Sequence, residues 1–348
     1  MATMKAALYQ GNRKLKVATI SRPEPGPGEA LVRVRAEGVC GSDLLIWWDK
    51  KEKETLPAGH EVAGEIVEVG KGVNKGRVGD HVAIDILGMG LRCGTCWYCR
   101  TGQTIHCTNK KEGTGGGYAQ YIMRNAEGCF PIPKHVSWEE SALVEPLAVS
   151  VHGVRRGRMR PGETVLVLGA GNIGQTCVAA ARAMGAGKVI ITARHPHQAK
   201  MAKRMGADVV LSDHGKELEE GIKDATGGRG ADVTLESVGG RTDTTIQQAL
   251  EFTRKQGRIV ILGGFWVPIA IDWIKPLLNE HSIIFSSCYG VLEGRDDYEV
   301  AIDLIADKRV NIKPMVTHKF PLEDIQKALD TAYDKTVGSI KVQIHQTA

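Results

Sequence analysis

The sequence predicts an α/β protein of two domains, one rich in β-structure and one built on a doubly wound parallel sheet. One change of pattern and one count predict this. Up to about residue 150, short strands alternate with glycine and proline turns; from Arg160 onward, apolar strands alternate with helical stretches. The 348 residues are 42% hydrophobic, enough for two cores at roughly 100–200 residues per domain.

In the first part the strands are ALVRVRA (30–36), EVAGEIVEVG (61–70) and DHVAID (80–85), separated by PEPGPGE and GKGVNKG. The second part opens with PGETVLVLGAGNIGQTCVAAARAMGA, an apolar strand, a glycine turn and a helix with apolar residues at helical spacing, followed by the strand KVIIT. Further strands are expected at DVVLSD (208–213), DVTLES (232–237), RIVILGG (258–264) and SIIFSS (282–287), with a helix over 241–257. Alternation of this kind implies parallel strands covered by helices. An amphipathic helix over 295–309, a second over 322–334 and a strand over 339–345 complete the chain.

Charged residues make up 24% of the chain, the formal net charge is +5, and Lys and Arg are spread along it. No basic block marks a nucleic-acid surface, and no apolar run approaches the roughly 18 residues of a membrane span. The start, MATMKAALYQGNRKLKV, lacks the apolar core of a signal peptide. The expectation is a cytoplasmic protein without nucleic-acid or membrane partners, whose eight cysteines serve metal binding or packing in place of disulfides.

Residues 93–107, CGTCWYCRTGQTIHC, place Cys93, Cys96, Cys99 and Cys107 in the spacing C-x2-C-x2-C-x7-C. Four thiolates this close suit one tetrahedral zinc with no open position, which would staple a loop and do no chemistry. The other readings of the run are packing cysteines and a four-thiolate iron–sulfur cluster. Elsewhere, GVCGSD (38–43), AGHEVAG (58–64) and EPLAVSVHG (145–153) offer Cys40, His60, Glu61 and Glu145 near strand ends and turns. One thiolate, one imidazole and one or two carboxylates are a ligand set for a catalytic zinc that keeps a position free. Spacing alone does not bring them together.

These segments, the four-cysteine loop and LVLGAGNIG, in this order and over essentially the whole chain, resemble the zinc-containing medium-chain dehydrogenases, and among them the threonine, sorbitol and polyol branch. The resemblance implies that Cys40, His60 and Glu61 ligate a catalytic zinc beside one structural zinc per subunit. Glu145 would then be close enough to replace Glu61 or to orient water, and how the two share the metal is left open. It implies a GroES-like catalytic domain over 1–150, completed by 288–348, around an inserted Rossmann domain over 151–287. It also implies a homotetramer or dimer; the apolar strand SIIFSSCYG and the helix after it are expected to contribute to subunit contacts.

Ser42 matches the family position whose hydroxyl begins the proton path, a task for a group that both donates and accepts. Where the related branches carry a histidine five residues after the cysteine, this chain has Leu45. Proton release is therefore expected through Ser42, the cofactor ribose and water, and threonine becomes a poorer substrate. Trp47 and Trp48 follow; in an extended segment they would point to opposite sides, with one lining the substrate cleft. A broad aromatic wall favours a cyclic or carbon-rich alcohol.

Gly169, Gly171 and Gly174, with Asn172 and Ile173 between them, form GxGxxG between a strand and a helix, the context in which it binds a dinucleotide pyrophosphate. An Asp or Glu about twenty residues on would select NAD, but that position is Ala193. Arg194 follows, with His195, His197 and Lys200 close by. A planar guanidinium suits the 2′-phosphate, so NADP is the expected cofactor, against the reading of a solvated arginine beside a pocket that still uses NAD. The function expected is a zinc-dependent oxidoreductase acting on a secondary alcohol or polyol with NADP. A NAD-linked polyol, amino-alcohol or threonine-type dehydrogenase is the second reading, and a nucleotide-binding scaffold without chemistry the third.

Overall fold

A computed structural model describes residues 2–49 and 51–346, with residues 46–49 described by backbone alone. The chain divides into two compact units. One comprises residues 1–145, 290–306 and 316–348; the other comprises 146–289 and 307–315.

The first unit is built on a seven-stranded sheet. Its path runs Val316–Phe320, Lys341–His345, Glu29–Gly38, Glu61–Val69, His81–Ile84, Cys129–Pro131, and Tyr121–Asn125 also pairs with Glu29–Gly38. All pairings are antiparallel except Val316–Phe320 with Lys341–His345. Val32, Val34, Val62, Ile66, Val82, Ile84 and Ile122 fill one core, as β-branched side chains on a pleated surface do. A second core joins the helix Ile325–Tyr333, through Ile325, Ala328, Leu329 and Ala332, to Ala7, Tyr9, Tyr118, Val342 and Ile344. Its i, i+3, i+4, i+7 spacing is the apolar stripe of a surface helix.

The second unit carries a six-stranded sheet in the order Val209–Leu211, Lys188–Thr192, Thr164–Leu168, Ala231–Glu236, Thr253–Ile261, Ser282–Phe285. Every pairing is parallel. Numbered along the chain this is 3-2-1-4-5-6, the doubly wound order, whose ligand crevice opens where the order reverses. Here that point lies beyond the carboxyl ends of Thr164–Leu168 and Ala231–Glu236.

Several expected elements are shorter than their sequence suggests: the strand expected over 208–213 is Val209–Leu211, and the helix expected over 295–309 is Asp297–Ala306. The helix expected over 241–257 is confined to Thr244–Phe252, and the next strand starts at Thr253. The β-branched Thr253 ends the helix: its Oγ1 donates to Ala249 O at 2.7 Å while its backbone enters the ladder opposite Ala231. Gln256, at φ +57°, then lies in the left-handed region, which a continuing helix could not contain. No helix among the described residues is long and apolar enough to cross a membrane.

Candidate active site

Strand register brings the scattered ligand candidates together. Glu29–Gly38 and Glu61–Val69 are neighbours, with Gly38 opposite Glu61, so Cys40, just past one strand, and His60, just before the other, emerge at the same end. One ligand atom each from Cys40, His60 and Glu61 lies within 4.8 Å of the other two. A thiol, an imidazole and a carboxylate converging this closely are a donor set that fits zinc. Glu145 approaches on the helix Val144–Arg156 and is buried, but lies outside that group of three. Burial raises its carboxyl to about 8, opposed by His60 and reinforced by Glu61.

The ligand candidates are themselves held. Asp43, three residues after Cys40, accepts from Cys40 N at 3.0 Å and from the Tyr118 hydroxyl at 2.8 Å through the same oxygen. Its other oxygen lies 3.6 Å from His60 Nδ1, which leaves Nε2 as the nitrogen for a metal, the arrangement in which an outer carboxylate orients a ligating histidine. Burial lowers the His60 imidazolium, but Asp43 and Cys40 outweigh it and raise it well above its usual value. Lys341 Nζ donates to both oxygens of Glu61 at 2.6 Å and to Val39 O at 3.0 Å, fully buried. The Glu61 backbone N–H donates to Glu37 Oε1 at 3.1 Å, and burial pushes the Glu37 carboxyl well up.

Sequence reading passed over Asp43, Tyr118, Lys341 and Glu37. Asp43 stood inside the quoted GVCGSD, three residues from a ligand candidate, and was the one with a signal. Lys341 alternates with apolar residues in SIKVQIH and reads as the solvent face of a strand. Ser42 lies at the start of the helix Gly41–Asp49. The segment that carries Trp47 and Trp48 is thus helical, so the opposite-sides argument, which holds for an extended segment, does not apply to it. The Trp47 and Trp48 side chains lie outside the described residues.

In the cysteine loop, Cys96 Sγ lies 3.4 Å from Cys99 Sγ and 3.9 Å from Cys107 Sγ, and Cys93 Sγ lies 3.9 Å from Cys99 Sγ. Zinc–sulfur bonds of about 2.3 Å give a tetrahedral edge of about 3.8 Å, so the spacing fits one zinc. The thiols are not equivalent. The Thr95 hydroxyl and the Cys96 and Thr95 backbone lower Cys93 to about 5, whereas burial raises Cys99 to about 12.

At the crevice of the parallel sheet, a Cβ on Gly174 would stand 1.9 Å from Gly169 O, so the helix Asn172–Ala183 packs this closely only with glycine there. Gly171 differs: a Cβ on it would meet no protein atom within 4 Å, and its φ of −73° is open to any residue. Neither protein packing nor strain requires that glycine, whereas a pyrophosphate against the backbone would. Asn172 and Ile173 form the first turn of the helix.

At the end of Lys188–Thr192, Ala193 N donates to Leu211 O at 2.9 Å. Arg194 is 74% exposed, and its Nε donates to Asp213 Oδ2 at 2.8 Å. His195 stands at the N-terminal end of the helix Pro196–Met205 and stacks on His197 with ring centroids 5.4 Å apart; Lys200 is exposed on that helix.

Residues 26–134 match the alcohol dehydrogenase GroES-like domain, and residues 172–307 match zinc-binding dehydrogenase. A sorbitol dehydrogenase of Bacillus subtilis (strain 168) is 34% identical over 355 residues, 98% of this chain and 97% of the relative. A solved zinc-binding dehydrogenase of Sinorhizobium meliloti 1021 bound to NADP superposes with a TM-score of 0.85 at 26% identity, covering 99% of this chain and all of that one. An alcohol dehydrogenase of E. coli CFT073 complexed with NADH superposes with a TM-score of 0.87 at 26% identity, again over 99% of this chain and all of that one.

Proposed function

The chain belongs to the zinc-containing medium-chain alcohol and polyol dehydrogenases, and from that premise we propose that it interconverts a secondary alcohol and its ketone with NADP as the preferred cofactor. It is a zinc-dependent oxidoreductase acting on CH–OH. The substrate class proposed is a cyclic or carbon-rich secondary alcohol, or a polyol. The observation that carries the reading is the convergence of Cys40, His60 and Glu61 within 4.8 Å at one end of two paired strands.

When bound, zinc would supply the Lewis acidity that makes an alcohol proton easier to lose, and the nicotinamide would take up hydride. The chain's own residues do the rest. Cys40, through its thiolate, and His60, through Nε2, hold the metal together with a carboxylate from Glu61 or Glu145, and Asp43 fixes the imidazole from behind. Lys341 ties both Glu61 oxygens, which leaves Glu145 as the carboxylate free to change partners. Ser42 Oγ takes the substrate hydroxyl proton and passes its own toward solvent, without the imidazole that Leu45 replaces. Cys93, Cys96, Cys99 and Cys107 hold a second, structural zinc.

For the cofactor, Gly169, Gly171 and Gly174 and the helix they open receive the pyrophosphate. Arg194, with His195 at the N-terminal end of the next helix and Lys200 within it, receives the 2′-phosphate. A second reading has a specific observation behind it: the Asp213 carboxylate beside Arg194 favours a NAD-linked polyol dehydrogenase if it meets the ribose hydroxyls. Arg194→Glu separates the two. It should lower kcat/KM for NADP by at least about tenfold while sparing NAD, as loss of a charge-assisted phosphate contact requires; an unchanged ratio would favour NAD.

The partner proposed, beyond the small-molecule substrate, is a second copy of the chain, giving a homodimer or homotetramer. Ser282–Phe285 is an edge strand with Phe285 exposed, and Trp273, Ile274, Leu277 and Leu278 are exposed before it. Four thiols arranged for a metal, with no disulfide among the described residues, suit a reducing, cytoplasmic setting.

A further inference from the structure

We infer that Asp213 is a positioning residue for cofactor selection: it holds Arg194 by Nε so that the two terminal nitrogens of the guanidinium face the 2′-phosphate as a ready fork. The inference rests on the NADP reading of the same site.

The geometry has three parts. First, Asp213 Oδ2 accepts from Arg194 Nε at 2.8 Å, the one nitrogen not needed for a bidentate grip on phosphate. Second, the pair is layered: Asp213 is 19% exposed and Arg194 is 74% exposed, so an approaching anion meets the guanidinium before the carboxylate. Third, the carboxylate is anchored. Its Oδ1 faces His214 Nδ1 at 2.7 Å, and the Asp213 carbonyl accepts from Gln248 Nε2 at 2.8 Å. The neighbouring Leu211 carbonyl accepts from Ala193 N at 2.9 Å, tying the Asp213 loop to the strand end that carries Arg194.

A carboxylate so close to a phosphate site would repel the phosphate if it stood alone. Paired with Arg194 it instead removes rotamer freedom that binding would otherwise have to remove, an effect of about two- to tenfold in affinity per side chain. The two roles predict opposite signs, which makes the inference testable by binding alone.

The experiment is equilibrium binding, by calorimetry, of 2′,5′-ADP and of 5′-AMP to the full-length protein and to its Asp213→Ala, Arg194→Ala and double variants. The wild type is expected to bind 2′,5′-ADP more tightly than 5′-AMP. Asp213→Ala should weaken 2′,5′-ADP about two- to tenfold and keep 5′-AMP affinity, which also reports an intact crevice. In the Arg194→Ala background the same substitution should no longer weaken 2′,5′-ADP, because Asp213 acts through Arg194. Asp213→Asn, which keeps an oxygen to accept from Nε, should recover most of the loss. Tighter or unchanged 2′,5′-ADP binding in Asp213→Ala, with the wild-type preference present, would overturn this inference alone. Weakened 5′-AMP binding in Asp213→Ala would instead make Asp213 an acceptor for the ribose hydroxyls and overturn it too. A wild type without preference for 2′,5′-ADP would remove the NADP reading and the inference with it.

Discussion

Lys341 and Glu61 are both fully buried, and the lysine reaches both carboxylate oxygens at 2.6 Å. Burial alone would lower the lysine, and Glu61 more than compensates, raising it above its usual value. Removing one partner leaves the other charged and buried, which costs about 3–5 kcal/mol. Lys341→Met is therefore expected to lower unfolding stability by that amount in urea titration; a change under about 1 kcal/mol would mean that Glu61 finds another partner. Cys40, His60 and Glu61 were legible in the sequence as a donor set that would suit zinc, but their grouping came only through the family resemblance. Lys341 was not legible, since it lies 280 residues from Glu61 and nothing local distinguishes it from a solvated strand lysine. Asp43 was intermediate: its type and its place near Cys40 were visible, but not its bond with Tyr118, 75 residues away.

Strand register does what motif reading could not. A strand was legible in 61–70 because a short β-branched run there is followed by the turn residues GKGVNKG, yet only the pairing of Gly38 with Glu61 tells that Cys40 and His60 meet. The helix end misplaced near 253 shows the reverse case, where helical spacing ran on past a threonine that ladder pairing had claimed. The cysteine loop was legible because its ligands are local. Cys99→Ser should remove one of the two zinc ions expected per chain, read by elemental analysis, and leave the segment 93–107 open to protease; retention of both ions would contradict the structural site.

The helix Asp297–Ala306 offers a pH test. Asp296 accepts from Tyr298 N at 2.9 Å at its start, and burial, with Asp85, Asp297 and Glu299 adding repulsion, raises its carboxyl to about 7. The folded chain thus holds this proton more tightly than the unfolded chain, whose value is about 3.9. The favourable contribution is complete below about pH 4 and lost as pH rises through about 7. Asp296→Asn keeps the acceptor and removes the charge. It is expected to stabilise the protein at pH 8 by up to about 4 kcal/mol and to leave it unchanged near pH 4, by denaturant titration at both pH values; equal effects at both would contradict the shift.

At the scale of the whole molecule, the alternation of strand and helix after residue 160 was enough to predict the parallel sheet, because each βαβ unit writes its own period. The return of the C-terminal segment to the first sheet, as Lys341–His345 beside Glu29–Gly38, has no local signature and was available only through family resemblance. Phe285, on the edge strand Ser282–Phe285, and Ile274, Leu277 and Leu278, in the short helix before it, are exposed, apolar surface of the kind that marks an interface. Leu278→Asp should shift the molar mass in light scattering toward monomer, and an unaltered mass would place the contact elsewhere. The most direct test of the account is reduced-nicotinamide absorbance with the zinc-loaded protein, NADP and NAD side by side, across cyclic and open-chain secondary alcohols, polyols and threonine. Turnover of a secondary alcohol or polyol with NADP strongly preferred is the predicted result; activity confined to NAD would contradict the role given to Arg194, and activity with threonine alone the substrate class.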